Sequence, residues 1–208
     1  MSTITLPMTD ISPPREASVA GASSGSSLER LVLALQNDQP AALEAIITRT
    51  EKACYHLALS ILKDPELSKD ALQESYFVVY QKIGQLREAG AFKTWLFRIV
   101  NRTCYDILRK RGREVETDLS ERDDLLEQAT GPSGASEPSS DLSSKEMLRA
   151  TFRSLPAIDR EAIALREVCC LSYEEMARTL SIPIGTVRSR LAKARKRFLK
   201  AYRKEQQS

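Results

Sequence analysis

Two stretches of this chain concentrate basic side chains, and clusters of this kind bind polyanions. Residues 186–204 contain nine lysines or arginines and no acid. Residues 98–113 contain six basic residues and one acid, Asp106. Between them, residues 114–146 hold ten acids against two basic residues. The net charge of +3 therefore hides two cationic segments separated by an anionic one, a distribution that indicates a nucleic-acid partner.

Enzymatic, metal and membrane chemistry have little support in the sequence. No set of nucleophile, base and orienting group is recognisable, and there is no glycine-rich phosphate loop. The four cysteines form no C-x-x-C pair and His56 is the single histidine, so no metal site or other cofactor is predicted. The cysteines are expected to be buried and reduced, with a redox sensor as the alternative. Because no membrane span or secretory signal is recognisable, a cytoplasmic location is expected.

The elements that carry the basic segments are predicted to be helical. Apolar residues recur at helical spacing over 28–113 and 143–204, and no convincing strand alternation is found. A capping-box pattern at Ser143 predicts the start of the second of these regions. Residues 1–27 and 114–142 lack the period and are rich in small polar or acidic residues, which is typical of a flexible tail and linker. The predicted fold is all-α, with two small helical domains joined by a flexible acidic linker.

The second cationic segment lies in a helix-turn-helix pattern. Ser172 and Glu175 form a capping box before a short amphipathic helix, the letters SIPIG interrupt it, and a longer helix begins between Pro183 and Thr186. In this motif the second helix lies in the major groove of duplex DNA. The residues expected to contact the duplex are Thr186, Val187, Arg188, Ser189, Arg190, Lys193, Arg195 and Lys196. The alternative is a solvated face on an ordinary helical hairpin, although such a face usually mixes charge signs.

The first cationic segment belongs to a helix predicted over residues 92–111. At helical spacing its arginines fall on one arc and its apolar residues on another. Trp95 and Tyr105 lie on or beside the basic arc, and Asn101 lies at its edge. This combination fits single-stranded nucleic acid, because bases stack on aromatic rings while arginines follow the backbone. The alternative places Trp95 in the core and leaves the arginines solvated.

Several strings resemble a known family. The segment from LSYEEMA to IPIGTVRSRLAKARKR closely resembles region 4 of sigma-70 family factors, and DALQESYFVVYQKI and FKTWLFRIVNRTCYDILRKR resemble region 2. The restriction to these two regions is similar to the extracytoplasmic-function (ECF) subfamily. The resemblance implies a sigma factor, not an enzyme, that binds core RNA polymerase, directs it to −10 and −35 promoter elements and promotes strand opening. It also implies promoter DNA, duplex and melted, and an anti-sigma factor as partners, with no membrane.

The resemblance assigns roles to individual residues. Contacts with the clamp helices of the largest polymerase subunit are implied for Asp70, Gln73, Glu74, Phe77 and Tyr80. Contacts with the −10 element are implied for Trp95, Arg98, Asn101, Arg102, Tyr105, Asp106 and Arg109. The helix from Thr186 is implied to read the −35 duplex. Many ECF factors place asparagine four residues after the arginine matched by Arg98. Here that position is Arg102 and Asn101 precedes it, so both are candidates for contacting a flipped base.

Two other functions remain open at this stage. A free-standing regulator with the same helix-turn-helix is expected to carry a ligand or phosphoacceptor domain, which the pattern of residues 28–113 does not indicate. A sigma-like decoy would occupy core polymerase without starting transcription. Gel filtration with core polymerase distinguishes the regulator from a sigma factor, and run-off transcription from a matched promoter distinguishes the decoy.

Overall fold

Helices make up most of the chain. The computed structural model describes residues 22–118 and 140–206, and their side chains over 27–112 and 145–206. The helices are α1 (Ala22–Gln36), α2 (Ala41–Leu62), α3 (Pro65–Lys82), α4 (Phe92–Asp118), α5 (Ser140–Ser154), α6 (Ala157–Ile163), α7 (Tyr173–Leu180) and α8 (Ile184–Glu205). A π-helical turn, Ala164–Val168, continues α6. Because the described ranges contain no strand, the predicted all-α class is confirmed. Most of the predicted tail and linker lies outside these ranges.

The break between α2 and α3 follows from three consecutive residues. Lys63 ends α2 in the left-handed region, at φ 59°. Asp64 caps α3, because its carboxylate accepts hydrogen bonds from the backbone nitrogens of Glu66 (3.0 Å) and Leu67 (3.1 Å). Pro65 occupies the first turn, where a helix has no use for its missing N–H. These three residues therefore separate α2 from α3.

Three helix boundaries differ from the predicted ones. Helix α1 begins at Ala22, inside the predicted tail, and α4 continues to Asp118, beyond the predicted end of the first domain. Helix α5 begins at Ser140, so the predicted start at the Ser143 capping box is wrong. Adding a residue to an existing helix fixes one residue per hydrogen bond, whereas nucleation fixes several. Helices therefore extend into polar sequence that carries no apolar period.

Helices α1 to α4 form the first group and pack around a common apolar centre. Polar ties fix their relative positions. The Gln36 amide nitrogen donates to the carbonyls of Ile83 (2.9 Å) and Leu86 (2.7 Å), and the hydroxyls of Thr50 and Tyr76 lie 2.8 Å apart. The largest fully buried side chains of this group are Val32, Ile46, Leu57, Val79, Phe92, Leu96, Phe97 and Val100. This core holds α3 and α4 with one face each directed outward.

Helices α5 to α8 form the second group, and the predicted helix-turn-helix is present within it. The Ser172 hydroxyl accepts from the Glu175 nitrogen (3.1 Å), and the Glu175 carboxylate accepts from the Ser172 nitrogen (2.7 Å). This capping box starts α7, as predicted. Ser181 ends α7 in the left-handed region at φ 55°, and Pro183 precedes the first turn of α8. These residues end α7 and begin α8, and they form the turn between the two helices.

The two groups of helices pack directly against each other. Helix α6 and the π-helical turn lie on α2, α7 lies on α4, and the buried side chains form one connected cluster. Arg160 of α6 is 3% exposed and donates to the carbonyls of Ser60 (2.5 Å), Ile61 (3.1 Å) and Leu155. The sequence had predicted two domains joined only by a linker. Small domains bury a limited share of their apolar surface alone, and this contact buries more of it.

The four cysteines fall into two environments. Cys54, Cys104 and Cys169 are buried, and burial raises the pKa of each thiol to about 12. They are protonated at neutral pH and thus poor nucleophiles, in agreement with the expected buried thiols. Cys170 differs, because it is exposed and has a left-handed backbone at φ 54°. The expectation of burial is wrong for Cys170, which lies where the chain turns from the π-helical turn toward α7.

Candidate nucleic-acid interface

The first half of α8 directs polar and basic side chains to solvent. Exposed members of the predicted set are Thr186, Arg188, Ser189, Lys193, Arg195 and Lys196. The Ser189 hydroxyl donates to the Thr186 carbonyl (3.0 Å), which orients it along the helix. Val187 is 1% exposed and packs with Leu191 in the core. Its predicted contact with DNA is therefore replaced by a packing role, because helical spacing turns this position inward.

The inner side of α8 is held by ion pairs with its own domain. Each pair joins an arginine of α8 to an acid of α6 or the π-helical turn. The pairs are Arg190–Glu161 (3.8 Å), Arg195–Glu167 (2.7 Å) and Arg197–Asp159 (2.6 Å). The side chains of Asp159 and Glu161 are 2% and 3% exposed, so the acids of these two pairs are shielded from solvent, whereas Arg197 remains 43% exposed. The acids thus pair with Arg190, Arg195 and Arg197, while Arg188, Lys193 and Lys196 stay exposed to a polyanion.

Helix α4 separates a basic face from an apolar one. Arg98, Arg102 and Arg109 are exposed, whereas the neighbouring Leu96 and Val100 are fully buried. Asp106 lies on the basic face and pairs with Arg102 (3.8 Å) and with Arg109. Exposed ion pairs of this kind stabilise little and exchange readily for other partners. The face therefore presents guanidinium groups that can exchange Asp106 for another anion.

Trp95 occupies a position between the two environments considered for it. The indole is half-buried and packs against the core, with its ring centroid 6.1 Å from that of Phe92 and the planes tilted by 48°. One side of the ring is thus anchored and the other part reaches the surface. An anchored, partly exposed indole can accept a stacked base without losing its support.

Asn101 and Tyr105 meet the second domain instead of solvent. The Asn101 amide nitrogen donates to the carboxylate of Glu161, and the Tyr105 hydroxyl donates to Glu161 Oε2 (3.2 Å). Burial raises the pKa of the Glu161 carboxyl, while the hydrogen bonds from Asn101 and Tyr105 and the charge of Arg190 oppose that shift. Two of the residues assigned to the −10 element are therefore engaged in a contact between domains.

Sequence reasoning missed Glu161, although a signal for it exists. Glu161 lies four residues before the buried Leu165, and so on the apolar face of its helix. An acid at such a position is almost never buried without a partner. The signal indicates that a donor must exist, and it does not say which part of the chain supplies it.

Helix α3 carries an exposed stripe of acidic and aromatic side chains. Asp70, Gln73, Glu74 and Phe77 line one shallow groove, and Tyr80 continues the same side of the helix. Phe77 is 61% exposed and Tyr80 is 51% exposed. Exposed aromatic side chains grouped on one surface mark an interaction site for another protein. The structure thus brings all five predicted polymerase-binding residues together.

Neither a metal centre nor a membrane span is found in the part of the chain that the structure describes. No cluster of histidine, cysteine and carboxylate side chains there has the composition of a metal site. No helix there combines the length and the apolar character that crossing a bilayer requires.

The fold and these faces define an all-helical DNA-binding protein with a helix-turn-helix. The family model of sigma-70 region 2 matches residues 46–114, and that of sigma-70 region 4 matches residues 145–198. The RNA polymerase sigma-H factor of Pseudomonas aeruginosa is 30% identical over 178 residues, which cover 83% of this chain and 92% of the relative. The ECF RNA polymerase sigma-E factor of Haemophilus influenzae is 31% identical over 172 residues, which cover 80% and 90%.

Solved structures show the same architecture. CnrH in complex with the cytosolic domain of CnrY has a TM-score of 0.58 at 18% identity, covering 83% of this chain and 94% of that one, and shows the fold alone. The sigma factor RpoE of Bartonella quintana, in complex with the anti-sigma factor NepR, has a TM-score of 0.54 at 25% identity, covering 87% and 97%. The chain belongs to the sigma-70 family of RNA polymerase sigma factors, in the ECF subfamily. Its function is promoter-directed initiation of transcription by RNA polymerase.

Proposed function

We propose that three surfaces of this sigma factor divide the work of initiation. The α3 surface, defined as Asp70, Gln73, Glu74, Phe77 and Tyr80, binds the clamp helices of the largest core polymerase subunit. The observation that carries this assignment is the exposure of two large aromatic side chains beside two acids, on a helix whose other face is buried. Such a stripe has no partner within the described chain and combines apolar area with charge, as protein interfaces do.

The two DNA elements are assigned to the two cationic faces. The exposed part of α8 reads the −35 duplex, with Arg188 near the end of the helix that enters the major groove. The basic face of α4 binds the −10 element, where Trp95 stacks on a base and Arg98 and Arg102 follow the backbone. Extruding a base costs a few kcal/mol, which this preformed face offsets.

The proposal extends to the protein's environment. The chain itself catalyses no reaction. The polymerase catalyses RNA synthesis, and the sigma factor positions it at the promoter. Because it acts on chromosomal promoters, we place it in the cytoplasm. RpoE of Bartonella quintana forms a complex with an anti-sigma factor, and by that likeness we infer that an anti-sigma factor also restrains this chain. We also propose the division into a region 2 domain (28–113), a linker (114–142) and a region 4 domain (143–204); it is supported by the family models, which match residues 46–114 and 145–198.

The test is reconstitution with core RNA polymerase. The purified protein should co-elute with core enzyme on gel filtration and should direct run-off transcription from a random promoter library, which reports both elements. Phe77→Ser should abolish both activities, since a serine removes the exposed aromatic anchor without disturbing the core. Leu33→Ser is the matched control, because Leu33 is an exposed apolar residue of α1, at 49%.

Two results would contradict the proposal. If the wild-type protein bound duplex promoter DNA tightly but failed to co-elute with core enzyme, it would be a free-standing regulator. If it co-eluted but gave no run-off product from any promoter in the library, it would be a decoy.

A further inference from the structure

One buried carboxylate contacts both DNA-binding helices, because it accepts hydrogen bonds from α4 and forms an ion pair with an arginine of α8. The group is called here the Glu161 cluster and consists of Glu161, Asn101, Tyr105 and Arg190. Asn101 and Tyr105 come from α4, Arg190 comes from α8, and Glu161 lies between them on α6. Asn101 is 60 residues from Glu161 in sequence, so this is a tertiary contact between the two domains.

The donors in the cluster are of the kind that bind a phosphate group, and the Glu161 carboxylate takes the place of that group. An amide N–H, a phenol and a guanidinium are donors that also bind the phosphate and base oxygens of nucleic acid. In the cluster they converge on two anionic oxygens that are 3% exposed as part of the Glu161 side chain. Each donor engaged by Glu161 is unavailable to DNA, and Arg190 keeps only 22% of its side chain exposed.

We propose that Glu161 acts as an internal substitute for nucleic acid, which holds the free sigma factor in a closed state and withholds Asn101, Tyr105 and Arg190 from promoter DNA. This inference rests on the proposed roles of the two cationic faces. Opening exchanges the carboxylate for phosphate oxygens, so the donors always have an anionic partner. The outer cations of both faces stay exposed in the closed state, which leaves initial electrostatic contact with DNA possible and delays only strand capture.

The rest of the domain contact sets how strongly the cluster acts. Arg160 bonds the carbonyls at the end of α2, and the Cys169 thiol lies 3.8 Å from the Ala53 carbonyl. These contacts use groups that take no part in DNA binding. They keep the domains adjacent, and the Glu161 cluster determines which donors are covered.

The experiment measures domain distance and DNA binding on the full-length free protein. Donor and acceptor dyes are placed at Lys82→Cys on α3 and Lys200→Cys on α8, both exposed positions, in a Cys170→Ser background. Binding is followed by the anisotropy of a labelled single-stranded oligodeoxythymidine. Glu161→Ala should lower energy transfer. It should also raise affinity for the oligonucleotide about tenfold, because Asn101, Tyr105 and Arg190 lose the buried carboxylate that they contact.

Glu167→Ala is the matched control. It removes the same charge from the same segment, but Glu167 pairs with Arg195 inside the second domain, where both side chains are about half exposed. It should leave energy transfer as in the wild type, and any gain in affinity from the released Arg195 sets the effect of removing one charge, which Glu161→Ala should exceed. Glu161→Gln, which keeps the size and one acceptor oxygen, should give a smaller change than Glu161→Ala and serves if the alanine variant loses helical structure.

The wild-type protein provides an independent readout: adding the oligonucleotide should lower energy transfer. The proposal is overturned if both Glu161 variants keep wild-type transfer and affinity, or if transfer falls with no gain in binding. Failure of the proposed function is distinguished from this, because transfer without DNA reports only the contact between the domains, whereas run-off transcription by the wild type tests the function directly.

Discussion

Arg160 should be the most destabilising single site to alter at the contact between the domains. Its guanidinium is almost fully buried and serves carbonyls in the last turn of α2, which have no following turn to bond to, together with the Leu155 carbonyl of its own domain. Burial lowers the pKa of Arg160 to about 10, so it remains protonated at neutral pH. The substitution considered is Arg160→Met, which keeps most of the volume and removes every donor.

The magnitude follows from the three acceptors. An unsatisfied buried acceptor costs about 1–3 kcal/mol, and taking the lower value for carbonyls that keep partial solvation gives about 3 kcal/mol. Removing a buried cation recovers part of its desolvation cost, which reduces the net loss to about 2 kcal/mol. For a chain of this size 1 kcal/mol corresponds to about 2–4 °C, so the melting temperature should fall by about 4–8 °C.

The assay is urea and thermal unfolding followed by circular dichroism, with Arg195→Met as the matched control. Arg195 and its partner Glu167 are 49% and 54% exposed, and such a surface pair contributes about 0–1 kcal/mol. Arg160→Lys should fall between the wild type and Arg160→Met, because lysine keeps the charge and loses the fork geometry. If Arg160→Met were within about 0.5 kcal/mol of Arg195→Met, the carbonyls would have other partners and the reasoning would be refuted.

Three further predictions concern single side chains. Trp95→Ala should spare co-elution with core polymerase but weaken strand opening by about 1–3 kcal/mol, which is measured as lower permanganate reactivity of promoter thymines. Trp95→Phe should retain much of that reactivity. An unchanged permanganate footprint in Trp95→Ala would assign the ring to the core alone. Burial raises the pKa of Glu161 above 4.5, so its contribution to stability is full below that value and is lost as pH rises through the folded-state pKa. The difference in unfolding free energy between the wild type and Glu161→Gln should therefore fall with rising pH. A difference that does not change with pH would contradict the raised pKa. One thiol should react with Ellman's reagent in the native protein and four after unfolding, with Cys170→Ser removing the native signal; more than one native thiol would show that the domain contact opens readily.

Local patterns were sufficient for much of the fold. Asp64 and Pro65 predict a break that depends only on capping within the same turn, and Ser172 with Glu175 predicts the start of α7 in the same way. The helical period likewise identifies the buried side of α4 and the exposed side of α3. Each of these features is determined by residues within one or two turns of each other, so the sequence contains all the information required.

The ends of helices and the burial of individual side chains were harder to predict from the sequence. Helix α4 continues to Asp118 through residues that carry no apolar period, because extending a helix needs only hydrogen bonds to the preceding turn. Val187 was assigned to DNA by its place in the motif, yet this side chain lies in the core. Its spacing from Leu191, one turn later, already placed it on the apolar side of α8, so the helical period was the better guide.

The closed contact could not have been predicted, for a chemical reason. Asn101, Tyr105 and Arg190 were assigned to DNA by their places on the two basic helices and by the family resemblance. Their side chains donate to anionic oxygens, and Glu161 offers the same kind of oxygen as a phosphate. Residue type identifies a donor but not whether its acceptor is a phosphate or a carboxylate. A sigma factor that must leave DNA-binding donors covered until polymerase is present can use this ambiguity directly. The carboxylate then needs only to be weaker than promoter DNA held in the holoenzyme, and strong enough to lower the affinity of the free protein for DNA.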